Sequence, residues 1–187
     1  MRLWRLASER RARDFDGGYG ISYDGRWNTR GRPVTYCSTV ASLTALEKRV
    51  HVSDPGLLPT QVLVTYELPD NISRRTIEIA DLPADWTVRA THTQSVGDRW
   101  LDSRAELLLF VPSVIMPIAN VPDRNVLINH RRAEAASINV VQVIPFTLDR
   151  ACSNRDSGPA WGKRAQCSMS SAYTIFSVCT HSGCAAH

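Results

Sequence analysis

The pattern of apolar and polar positions divides the chain into two stretches. Over residues 1–150, strand-like and helix-like patterns alternate. In residues 33–38, Val34, Tyr36 and Ser38 stand on alternate positions, which is the period of a strand. Residues 61–68 (QVLVTYEL) read as a clear strand and residues 75–79 as another. Residues 106–111 are strongly apolar and end at Pro112, as a buried strand would. The β-branched run at 138–146 predicts a further strand, and residues 2–6 a short one. Residues 125–129 are too few for their pattern to choose.

Two helices fit between these strands. Ser38 or Thr39 can cap a helix that runs to about Val52. On it, Leu43, Leu46 and Val50 form an apolar stripe, with Lys48 and Arg49 toward solvent. A shorter helix across 94–103 places Val96, Trp100 and Leu101 on one face. Residues 14–25 and 82–86 carry loop and turn residues. The sum is an α+β fold, a compact single domain on a mixed central sheet with few helices.

After Arg150 the pattern dissolves into Ser, Gly, Cys and Ala, and within it only residues 173–178 look strand-like. Residues 151–187 are therefore expected to form an atypical, poorly ordered C-terminal tail. Four of the five cysteines lie there (Cys152, Cys167, Cys179, Cys184), and Cys37 stands alone in the body. An odd count without a secretion signal argues against a disulfide framework. The spacing of Cys179, His181 and Cys184 matches no closed zinc site, so no metal is expected.

Composition narrows the class. The chain is 43% hydrophobic and 21% charged, as globular proteins are. No apolar run reaches the roughly 18–20 residues of a membrane span. The basic N-terminus leads into no signal-peptide core, so a cytoplasmic location is expected. A net charge of +4 suits an anionic ligand without naming one. The arginines are dispersed, and the short run Arg10-Arg11-Ala12-Arg13 is flanked by Glu9 and Asp14. No direct contact with nucleic acid is expected from so weak a patch.

The candidate chemistry gathers between Gly25 and Glu47. Arg26 can hold a phosphate bidentately, and Trp27 offers a flat face for a ring. The same residues could equally make a turn in which an arginine stacks on a tryptophan. Tyr36 could be a half-buried sheet aromatic. At roughly 100° per residue, Glu47 falls within about 40° of Leu43, at the edge of the apolar stripe. A carboxylate facing inward needs a partner or a function. An ion pair with Arg26 would supply the first. Ser113 follows the most apolar strand, where sites often form, but no Gly-x-Ser-x-Gly elbow surrounds it.

These residues resemble the RES-domain family, toxins of bacterial toxin–antitoxin pairs with Xre-type antitoxins. The match runs through Leu3-Trp4-Arg5, Gly25-Arg26-Trp27-Asn28, Pro33-Val34-Thr35-Tyr36 and Ala45-Leu46-Glu47. It continues through Leu82-Pro83-Ala84-Asp85-Trp86, Val96-Gly97-Asp98-Arg99-Trp100-Leu101 and Leu109-Phe110-Val111-Pro112-Ser113, and ends near 125–129 and Pro145-Phe146. It departs at Asp24, where the family usually has glycine, and in the tail. The resemblance implies a RES-like catalytic domain over residues 1–150, with a fold similar to ADP-ribosyltransferase toxins. It implies NAD⁺ as substrate, cleaved at the nicotinamide–ribose bond by water or by inorganic phosphate as co-substrate, with no further cofactor required. Some relatives instead look like protein ADP-ribosyltransferases, and a non-enzymatic partner-binding module is the remaining alternative. Carried over by motif, Arg5 and Arg26 would bind phosphates or ribose, with Trp27 and Asn28 beside them. Tyr36 would line the nicotinamide pocket, and Glu47 and Ser113 would complete the site. An Xre-type antitoxin partner, and a homodimer within such a complex, are implied in the same way.

Overall fold

The computed structural model describes residues 1–52 and 58–148. Within them run β1 (Arg2–Ser8), α1 (Gly18–Ser22), β2 (Val34–Ser38), α2 (Ala41–Val50), β3 (Gln61–Glu67) and β4 (Arg74–Thr76). Then follow α3 (Ala90–Ser103), β5 (Leu108–Pro112), β6 (Arg124–Asn129) and β7 (Asn139–Phe146). All seven strands join one sheet in the order β4-β5-β6-β2-β1-β3-β7. The β4–β5 pair is parallel and the other pairs are antiparallel, so the sheet is mixed. This is the α+β fold that the alternation of patterns predicts. The expected tail at 151–187, with its cysteines and its strand-like segment, lies outside the described residues.

Period two along the strands sends alternate side chains to opposite faces. One face gathers Leu3, Ala7, Cys37, Val64, Tyr66, Leu108, Phe110, Val126 and Ile128. The other gathers Val34, Leu109, Val111 and Leu127 of the sheet against Trp27, Trp86, Trp100 and Leu101. At about 25 cal/mol per Å² of apolar surface buried, these two clusters drive the folding of the sheet. On the second face α3 lies directly over the Gly25–Asn28 turn. A Cβ at Gly97 would sit 1.8 Å from the Trp27 carbonyl oxygen, so only glycine allows that approach. Asp98 of α3 then accepts hydrogen bonds from Thr29 N (2.9 Å) and Thr29 Oγ1 (2.7 Å). One turn on, Asp102 is paired with both Arg32 and Arg131.

Three elements differ from the pattern's prediction. Residues 125–129 form most of β6, paired with β5 on one side and β2 on the other. A central strand takes its stability from two neighbours, which five residues of local pattern cannot reveal. Gly18–Ser22, expected as loop, makes one short helical turn. Neither Ser38 nor Thr39 caps α2, whose N-cap is Val40 without a side-chain bond. Thr39 Oγ1 instead donates to Pro122 O (2.6 Å) and accepts from Arg124 N (2.8 Å). Among the described residues, no helix is long and apolar enough to cross a membrane.

Candidate active site

Helix α2 leaves β2 with only two residues between them, so it folds back over the second face. Its inward side is not the apolar stripe that the sequence predicts. Leu43 and Thr44 are buried, while Leu46 (44% exposed) and Val50 (57%) face outward. The helix is turned because the sheet beneath it offers polar partners. Thr44 Oγ1 donates to the Trp4 carbonyl at 2.9 Å. One turn further, Glu47 reaches the ends of three adjacent strands.

At those ends stand Ser38, closing β2, Asn125, near the start of β6, and Ser113, just after β5. Ser38 and Asn125 are paired across the β2–β6 ladder, and Asn125 is also paired with Val111 of β5. Ser113 Oγ donates to Glu47 Oε1 at 2.8 Å. Asn125 Nδ2 donates to the same oxygen in a short bond. Ser38 Oγ donates to Asn125 Oδ1 at 2.9 Å. Ser113 Oγ also accepts from the backbone N–H groups of Ile115 (3.0 Å) and Met116 (3.2 Å). With its proton committed to Glu47 and its oxygen accepting two donors, this fully buried serine holds the carboxylate and is not poised to attack.

Tyr36 lies two residues before Ser38 and packs against the second-face cluster. Its hydroxyl donates to Asn28 Oδ1 (2.7 Å) and accepts from Trp27 N (3.0 Å). Burial pushes the phenol pKa far up, so it stays protonated. Because the hydroxyl is already used, what Tyr36 can offer a ligand is its ring. Tyr19 meets that ring edge-on at 6.3 Å between centroids, and Tyr23 lies 5.4 Å from Tyr19. Tyr19 and Tyr23 are 54% and 60% exposed.

The Gly25–Asn28 turn is built to hold Tyr36. Gly25 N donates to Asn28 O at 2.9 Å. A side chain at Gly25 would strike Asn28 Oδ1 and the Tyr36 hydroxyl, at 2.4 and 2.5 Å. Asn28 is fully buried, and its Nδ2 donates to Tyr23 O and Thr29 O. Trp27 is 1% exposed and leans on Trp86 at 6.4 Å. Arg26 donates through Nη2 to the Trp86 carbonyl, and its guanidinium sits 5.9 Å from the Trp86 ring centroid. Among the described residues its buried Nε has no hydrogen-bond partner, and burial lowers its pKa.

A family model described as the RES domain matches residues 2–149. The chain belongs to the RES domain family. It is similar to the Toxin Res of Pseudomonas putida, 39% identical over 154 residues, which cover 80% of this chain and 97% of that protein. It is also similar to the Prs ADP-ribosylating toxin of a Sphingobium species, 32% identical over 154 residues, 79% of this chain and 93% of that one. Among solved structures, it resembles a chain in the crystal structure of the M. tuberculosis MbcT–MbcA toxin–antitoxin complex. The TM-score is 0.60 at 16% identity, over 78% of this chain and 84% of that one, a likeness of fold.

Of the residues that the RES resemblance singles out, the fold brings Glu47 and Ser113 into contact and sets Tyr36 on the same face. Arg26 lies beside Tyr36 in the adjoining turn, but no ion pair joins it to Glu47 among the described residues. Trp27 and Asn28 are support for Tyr36: a tryptophan so buried cannot stack on a ligand, and the Asn28 amide is fully engaged. Arg5 is not brought to the site. It follows the parity of Leu3 and Ala7 and lies on the opposite face, 5.8 Å from the Tyr66 ring centroid, with Nη2 donating to Arg11 O at 2.8 Å. Sequence reasoning missed Ser38 and Asn125 as site residues. The available signal was a polar residue at the end of a strongly apolar strand, where burial demands a partner.

Proposed function

We propose that this chain is the toxin of a toxin–antitoxin pair and that it consumes NAD⁺ by breaking the nicotinamide–ribose bond. The observation that carries the reading is the carboxylate of Glu47. One of its oxygens is held by Ser113 and Asn125, on the face where Tyr36 presents its ring. Cleavage develops oxocarbenium charge on the ribose, and a fixed carboxylate stabilises that charge or holds the 2′-hydroxyl. The C1′–N bond breaks with its electron pair passing to the nicotinamide ring nitrogen, which becomes neutral. Water, or inorganic phosphate, then bonds to C1′ through oxygen, and a water molecule gives up its proton to solvent. Arg26, in the turn beside Tyr36, neutralises a phosphate of the substrate. The relatives named as toxins support the biological role, and an Xre-type antitoxin in the cytoplasm is the partner it implies, with a homodimer inside that complex.

The second reading, transfer of ADP-ribose to a protein, is favoured by one observation, the relative named an ADP-ribosylating toxin. Incubation of the purified chain with labelled NAD⁺, with and without phosphate, separates the readings. Free ADP-ribose or its 1″-phosphate, identified by mass, supports degradation. Label retained on an added protein supports transfer. NAD⁺ left intact, with nicotinamide never released, overturns both and leaves a non-enzymatic binding module.

A further inference from the structure

We propose that Asn125 is a positioning residue that sets the working geometry of Glu47, with its amide locked in one orientation between Glu47 and Ser38. The inference rests on the reading of Glu47 above, and nothing in the local sequence around Asn125 suggests it.

The polarity of the chain of bonds follows from what each group can do. An ionised carboxylate only accepts, so the amide must turn its Nδ2 toward Glu47. Its Oδ1 then faces Ser38, whose hydroxyl must donate. Donor meets acceptor at every bond in this arrangement, and the flipped amide would set an oxygen against the carboxylate. Both donors to Glu47, Ser113 Oγ and Asn125 Nδ2, land on the same oxygen, Oε1. Among the described residues, Oε2 carries no hydrogen bond. The network therefore commits one oxygen to the protein and leaves the other to the substrate. Two donors on one oxygen fix where the carboxylate sits, and a small misplacement of a charge-stabilising group is costly in rate. The anchor itself is rigid, because Asn125 sits in β6 with ladder partners in both β2 and β5.

The ionisable group bonded to Asn125 is Glu47 of α2. Its chain neighbour Arg124 is engaged by Glu78 at 2.7 Å. On β2, Tyr36 stays protonated. From the end of β5, Ser113 reaches the network.

The test compares three variants of the full chain, first checking each for a cooperative thermal transition. Asn125→Ala removes the donor, and kcat for NAD⁺ consumption should fall about 10–100-fold, with KM changed less than about threefold. Asn125→Asp keeps the shape but faces one carboxyl with another. It should be nearly inactive at neutral pH and regain activity as the pH falls, because a proton shared by the pair restores a donor to Glu47. The unaltered chain should show no such gain on acidification. A merely structural asparagine would lose activity equally at every pH. Glu47→Gln supplies a readout independent of turnover: the Asn125 side-chain amide protons, followed by NMR, should move upfield when the carboxylate is replaced. Normal kcat in the alanine variant, or no acid recovery in the aspartate variant, overturns the proposal. So do amide protons indifferent to Glu47→Gln. If the unaltered chain leaves NAD⁺ intact, the functional reading falls, while the amide shift still decides the geometry.

Discussion

The two faces of the sheet carry similar side chains and do opposite things with them. On one, Ser113 and Asn125 both donate to Glu47, Ser38 donates to Asn125, and Tyr36 is held by Asn28 in the adjoining turn. On the other, Cys37 and Tyr66 are packed in the apolar cluster with Arg5 and His130 beside them, and among the described residues Arg5 Nε and the Tyr66 hydroxyl have no hydrogen-bond partner. Phe15 stands between Tyr66 and His130, at 4.8 and 4.6 Å. Burial raises the Cys37 thiol to about 12 and lowers His130 to about 4, so both are neutral at physiological pH. Reactive residue types are thus not enough. A network that satisfies a charge makes a site, and burial without one makes a core.

The comparison breaks most sharply at Glu47. Glu47→Gln should reduce NAD⁺ turnover by roughly 10²–10³-fold with an unchanged melting temperature. Full activity in a folded variant would remove the functional meaning of that face. Trp27→Ala comes next, and its signature is stability. Loss of so buried a ring should cost about 3–5 kcal/mol in denaturant unfolding. A raised KM in an equally stable protein would show instead that the ring meets substrate.

Arg5→Lys should lower stability by about 1–2 kcal/mol through its lost contacts with Tyr66 and Arg11. KM for NAD⁺ should stay within about threefold, whereas a large rise would bring Arg5 back to the substrate. The smallest effect concerns His130, which shares a 2.8 Å hydrogen bond with Thr35. Its folded pKa lies below the ordinary value of 6.5, so the unfolded chain binds the proton more tightly. The stability from the neutral form is present above about 6.5 and is lost as the pH falls toward about 4. His130→Gln should flatten the stability–pH curve in that window. An equally steep curve in the variant would assign the dependence to other groups.

Much of this was legible without coordinates. Strand positions followed from period two, and Glu47 stood out as a carboxylate at the edge of an apolar stripe. The family's G-R-W-N element pointed to the turn that holds the Tyr36 hydroxyl. Other features were not legible, for reasons that can be named. The stripe of Leu43, Leu46 and Val50 predicted the wrong inner side for α2. A hydrophobic pattern cannot register that the surface beneath offers Trp4 O, Ser113 and Asn125 as partners. Trp27 looked like a ligand platform because its burial under Gly97 is a contact 70 residues away in the chain. Tyr19 looked like a loop residue, although its ring meets that of Tyr36.

By itself, the sequence determined the α+β alternation, the membership of the RES family and the chemical types at the site. Those depend on local periodicity and on residue identity, which a linear string carries in full. The tertiary structure alone decided which face each residue serves and which groups it touches. Arg5 and Trp4 are neighbours in sequence, yet one joins the core and the other lies under α2. Ser38 and Asn125 meet only because β2 and β6 pair in one register. Strand parity and register are set by the packing of both faces at once, and no short segment contains that information.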